Sequence, residues 1–109
     1  MAKKISYIVR EGPSDHIGGL EDGLLADLRE DGVGRVMDIN FVIDDVRGRA
    51  IIDIVGEVCE GEIALHIFTG GNFQESANSW IAEEGLGDLK AELVRADGRV
   101  YLLLVGRKE

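Results

Sequence analysis

From Met37 to Asp44 the side chains fall into two interleaved sets. Met37, Ile39, Phe41 and Ile43 are apolar, and Asp38, Asn40, Val42 and Asp44 are mostly polar. A period of two is the mark of a strand with one buried face, and it commits this stretch to a half-covered sheet. A second run rich in Ile and Val, Arg49 to Val58, follows the turn-like Asp45-Val46-Arg47-Gly48. The register between them is constrained, because a slip of one residue would turn every side chain to the other face. Pairing Asp44 with Arg49 sets Ile43 against Ala50, Phe41 against Ile52, Ile39 against Ile54 and Met37 against Gly56. The slipped register would put Phe41 opposite Asp53.

Cys59-Glu60-Gly61-Glu62 reads as a second tight turn, with Val58 opposite Ile63, Gly56 opposite Leu65 and Ile54 opposite Ile67. The stretch 35–69 is therefore expected to be a three-stranded antiparallel meander. Before it, residues 3–10 read as a strand. Leu20, Leu24, Leu25 and Leu28 then recur at helical spacing, with glycines at 32 and 34 to end the helix. Gly23 weakens that helix by about 1 kcal/mol relative to Ala. After the meander, Asn72 and Glu75 have capping-box spacing for a helix over 73–84. Asp97-Gly98 is a hairpin signal that pairs Ala96 with Arg99, Leu93 with Leu102 and Ala91 with Leu104. The strand 100–105 is apolar on both faces and belongs in the middle of a sheet; the strand before it belongs at an edge. The fold class this predicts is α+β: a mostly antiparallel sheet of about six strands, with two helices packed on one face. No internal repeat or linker is read, and residues 1–109 are expected to form one globular domain.

The chain of 109 residues has a net charge of −9. Residues 5–106 hold 20 acids against 8 bases, and no lysine lies between Lys4 and Lys90. Such a field repels nucleic acid and anionic membranes and favours basic partners or cations. No apolar run reaches the roughly 18 residues of a membrane span. Met1-Ala2-Lys3-Lys4 runs straight into a strand, so no leader is read. One cysteine makes no internal disulfide, which fits a cytoplasmic location.

Three groups of residues are candidates for a site. In the meander register His66 lies diagonal to Asp53 and Glu57, a set of donors suited to a divalent cation. Asp38, Asn40, Val55 and Phe68 share the mixed face of the same sheet and form a candidate interaction surface. Two glycine-rich strand-to-helix loops place Ser14, His16, Thr69 and Asn72 where one ligand pocket could form, if the first and fourth strands ran parallel. The P-loop lysine and the dinucleotide fingerprint are missing from both loops. Cys59 sits among Glu57, Glu60 and Glu62, which disfavour its thiolate.

The order helix, three strands, helix is similar to that of double-stranded-RNA-binding domains, but their lysine cluster is missing between Ser76 and Leu89. It is also similar to nucleases that use an acid followed by an acid-x-lysine pair, and the meander contains no lysine. Small acidic secretion chaperones, which are dimeric, share the topology alone. With no nucleophile placed, the sequence leans away from catalysis. It points to a small acidic binding or regulatory domain that associates with itself and with a basic protein, with no nucleic acid or membrane partner. The alternative is a small-molecule or divalent-metal site in the loops or at His66, Asp53 and Glu57.

Overall fold

The computed structural model describes residues 3–109; Met1 and Ala2, which precede the expected first strand and belong to the stretch read as carrying no leader, lie outside them. In chain order the elements are β1 (Ile5–Pro13), a short 3-10 turn (Ser14–His16), α1 (Ile17–Glu30), β2 (Val33–Asp44), β3 (Arg49–Val58), β4 (Ile63–Thr69), α2 (Phe73–Glu84), β5 (Leu86–Ala96) and β6 (Arg99–Lys108). The fold is α+β. Its six strands form two antiparallel three-stranded sheets, ordered β1-β3-β2 and β4-β6-β5.

Both hairpins take the expected register. Asp44 pairs with Arg49 and Phe41 with Ile52; Ala96 pairs with Arg99 and Leu93 with Leu102. The meander does not form. β3 is flanked by β1 and β2, and β4 pairs with β6 in the other sheet. The physical reason lies in β4, which is apolar on both faces: Ile63, Ala64, Leu65 and Phe68 are all buried. Beside β3 one of those faces would have joined the outer face of the first sheet. The strand instead crosses to β6, which is likewise apolar on both sides.

A further departure is a bulge. Val36, rather than Met37, sits opposite Gly56, and the register shifts between Val36 and Asp38. Val36 is thereby buried and Met37 left exposed. Extra residues of this kind bend a strand and re-aim its side chains.

The two halves repeat one β-α-β-β unit. Ile5 opposite Glu57 in the first corresponds to Ile63 opposite Arg107 in the second, and Asp44–Arg49 to Ala96–Arg99. A faint sequence echo accompanies this: Gly48-Arg49 and Val55-Gly56 recur as Gly98-Arg99 and Val105-Gly106. The second glycine of each set does the same job. A Cβ on Gly56 would strike Val33, and one on Gly106 would meet Leu86 at 3.0 Å, the corresponding residue at the start of β5.

β2 and β5 lie side by side and run in the same direction. The Arg35 guanidinium meets Asp88 at 3.0 Å near one end, and the Asp97 N–H donates to Asp45 Oδ2 at 3.0 Å near the other. These are corresponding positions, so an approximate two-fold axis runs along the seam. An axis in that direction exchanges the faces of the two sheets. Each helix covers the corresponding face of its own sheet, that of Ile52 and Ile54 for α1 and that of Leu102 and Leu104 for α2, yet α1 faces the shared core and α2 a separate cluster. Leu20, Leu24 and Leu28 of α1 pack with Ile52 and Ile54 of one sheet and with Ile63, Leu65, Leu103 and Val105 of the other. Phe68, Ala77 and Leu104 form the smaller cluster, with Phe73, Trp80 and Ile81 around them.

Candidate functional site

α1 is fastened to both sheets by its acids. Arg10 of β1 donates to Asp27 through two nitrogens, at 2.7 and 2.9 Å. Those bonds hold the Asp27 carboxyl below its ordinary range. On the other side Glu21 Oε1 accepts from the Ile67 N–H and from His66 Nδ1, both at 2.6 Å. This carboxylate caps part of the free edge of β4, where an unpaired backbone donor would otherwise stand. It also fixes the imidazole proton on Nδ1. The His66 ring packs edge-on to Phe68 at 4.5 Å and lies 5.9 Å from Trp80. Glu21→Ala is expected to cost about 2 kcal/mol, because it strands a partly buried N–H and frees the ring. A urea titration checks this, and a midpoint within error of the parent would refute the bridging role.

The expected cation set is therefore not assembled. His66 sits in the second sheet opposite Leu104, while Asp53 and Glu57 lie on the first sheet. Among the described residues no three His, Cys, Asp or Glu side chains gather where they could hold a metal ion. Of the loop residues, Thr69 borders a cleft of about 730 Å³ and Ser14 a neighbouring one, and Arg99 lines both. His16 and Asn72 are exposed and line neither. Asn72 makes no side-chain cap bond, so the capping box does not close. β1 and β4 are in different sheets, and Ser14 and Thr69 border different clefts. Phe68 is buried against α2, away from the interaction face expected of it. Cys59 is a half-buried free thiol on the β3–β4 connection.

Asp38, Asn40 and Val55 are brought together, on the outer face of the first sheet. The rows across β1, β3 and β2 read Tyr7–Val55–Asp38, Val9–Asp53–Asn40 and Glu11–Ile51–Val42. Opposed side chains in such rows lie about 5 Å apart at Cβ. The apolar members are well exposed: Ile5 63%, Tyr7 64%, Val9 47% and Val42 48%. No element of the described chain covers them. The sequence missed this contribution of β1 because a strand's alternation does not say which neighbour it pairs with.

The charges on this face divide into satisfied and unsatisfied groups. Glu57 is met by Lys3 at 3.7 Å and Arg35 at 3.8 Å, and Glu11 by Arg49 at 3.2 Å. Asp38 and Asp53, in the middle, have no cation among the described residues. Asp53 Oδ1 is buried and has no hydrogen-bond partner. An unpaired buried carboxylate oxygen is a costly thing to leave in a sheet. Among the described residues no helix is long and apolar enough to cross a membrane. Compared with known proteins, the chain matches no family model, no curated relative and no solved structure.

Proposed function

We propose that this is a small acidic binding domain whose outer first-sheet face receives a basic segment of a partner protein. Lysine or arginine side chains would meet Asp53 and Asp38, and apolar residues between them would cover Tyr7, Val9 and Val42. The observation that carries this reading is the unpartnered Asp53 oxygen at the centre of an exposed, largely apolar sheet face. The net charge of −9 adds long-range attraction for such a partner. A second copy of the chain is the less favoured occupant. Two such faces brought together would set four uncompensated carboxylates against one another, and like charges on opposing strands repel.

A labelled ten-residue peptide of alternating lysine and valine tests the reading by fluorescence anisotropy. Asp38→Asn with Asp53→Asn is expected to weaken binding at least tenfold, about 1.4 kcal/mol. Glu75→Gln with Glu83→Gln, on α2, should leave it within twofold. Raising the salt should weaken the parent far more than the Asp38/Asp53 variant. Equal peptide affinity in parent and Asp38/Asp53 variant would remove this face from the binding site. A dimer of the chain alone that is dissolved by Tyr7→Asp would assign the face to a second copy instead.

A further inference from the structure

The two halves of the molecule differ most at one corner of the second sheet. There a cleft of about 730 Å³ opens between the start of α2 and the β5–β6 hairpin. Leu93, Val100 and Phe73 give it an apolar floor, and Arg95, Arg99, Thr69–Gly71 and Gly98 complete the lining. Leu93 is half exposed, at 51%.

In the first half most of the corresponding surface is covered by the chain itself. Phe41, Ile43 and Ala50 stand where Leu93, Arg95 and Val100 stand in the second half, as the shared hairpin register shows. Phe41 and Ala50 are buried in the common core, Phe41 edge-on to Tyr101 with centroids 6.4 Å apart. β1 also continues two residues further than β4. Gly12 and Pro13 pair with Ala50 and Arg49, and the Ser14 N–H then donates to Gly48 O at 2.8 Å. β4 stops at Thr69 opposite Tyr101, so Gly70 and Gly71 leave the ladder and the corner stays open. At this open corner the half-buried Ile43 of the first half is replaced by an exposed arginine.

Neither Arg95 nor Arg99 makes an ion pair with another described residue, although acids outnumber bases by 21 to 12. Two unpaired guanidinium groups over an apolar floor are matched to one kind of ligand. We infer that the cleft binds a small organic anion. Its carboxylate or phosphate would be held by Arg95 with Arg99, and its apolar body would lie on Leu93, Val100 and Phe73. Guanidinium groups suit either head group because they bind both through paired hydrogen bonds. The volume falls within the few hundred to a thousand Å³ common to small-molecule sites. Arg95 carries more of the attraction, because Arg99 also borders a second cleft containing Asp15, Asp45 and Asp97.

The probe is 1-anilinonaphthalene-8-sulfonate, an anion with an aromatic body, followed by its fluorescence. Decanoate and phenyl phosphate serve as competitors, with decanol and inorganic phosphate as controls. One-site binding is expected, with displacement at least tenfold more effective by an organic anion than by either control. Which competitor is stronger distinguishes a carboxylate from a phosphate head group. The amide resonances of Gly70, Gly71 and Gly98 should shift on addition of that competitor. Arg95→Gln with Arg99→Gln should weaken binding at least tenfold, and Leu93→Ser should also weaken it. All three side chains are exposed, so these changes leave the core intact. Arg49→Gln, at the corresponding first-half position, should change nothing. Equal affinity in the double-arginine variant, the absence of saturable binding by all three anions, or resonance shifts confined to other surfaces would each overturn the inference. None of these results bears on the outer face of the first sheet.

Discussion

Leu24→Ala is expected to lower stability by about 3 kcal/mol, a fall in midpoint of about 15 °C for a chain this size. Leu24 is fully buried on the face of α1 that packs against both sheets. Truncation removes its transfer energy and leaves a cavity that neither sheet can fill alone, since each is stiffened by its own ladder. The loss should also be shared. Trp80 is the sole tryptophan and lies in the second half, while Leu24 lies in the first. Trp80 fluorescence and far-ultraviolet circular dichroism should therefore shift together, in one transition. If the Trp80 signal kept its midpoint while the dichroism split into two steps, α1 would not be the common core element described above.

Gly34→Ala is expected to cost about 2 kcal/mol for a different reason, crowding rather than a void. A Cβ there would strike the Cys59 carbonyl oxygen and lie 2.6 Å from the Glu60 carbonyl oxygen. Both obstacles are backbone, in the connection that carries β4 from the first sheet to the second, and neither can swing aside. Gly19 makes the contrast. It is in α1 with nothing within 4 Å of a new Cβ, so Gly19→Ala should gain about 0.5–1 kcal/mol. Thermal melts of the pair give the comparison. A Gly34→Ala variant as stable as the parent would mean that the β3–β4 connection does not run over β2 at this point.

Local pattern made the hairpins legible. Asp97-Gly98 and the alternation on either side of residues 45–48 pinned both registers, because the partners are adjacent in sequence. The β3–β4 pairing failed because Cys59-Glu60-Gly61-Glu62 resembles a two-residue turn. The true partner of β3 on that side, β1, lies far back in the chain, and the alternation of β3 fits either neighbour. What could have decided it was the two-sided apolar character of β4, which demands cover on both faces.

The same limit governs the site. Asp38, Asn40, Asp53 and Val55 could be placed together from one hairpin. Tyr7 and Val9 could not be added without knowing where β1 goes. His66 could be singled out as a histidine, but its partner Glu21 lies far back in the chain, on a helix. The repeat had a sequence signal, the spaced Gly-Arg and Val-Gly pairs, too sparse to stand out before the matched registers were known.

The mixed origin of the main core also bears on how the chain is made. Synthesis completes the first sheet by Val58, with α1 formed against β1. Yet Ile63, Leu65, Leu103 and Val105, which cover much of the leucine face of α1, are still to come. A nascent first half is thus a finished ladder with a half-built interior, and its apolar interior stays open to solvent until β6 is released. Since Val105 is the last of that set in chain order, the arrival of β6, rather than the closing of the first sheet, seals this interior.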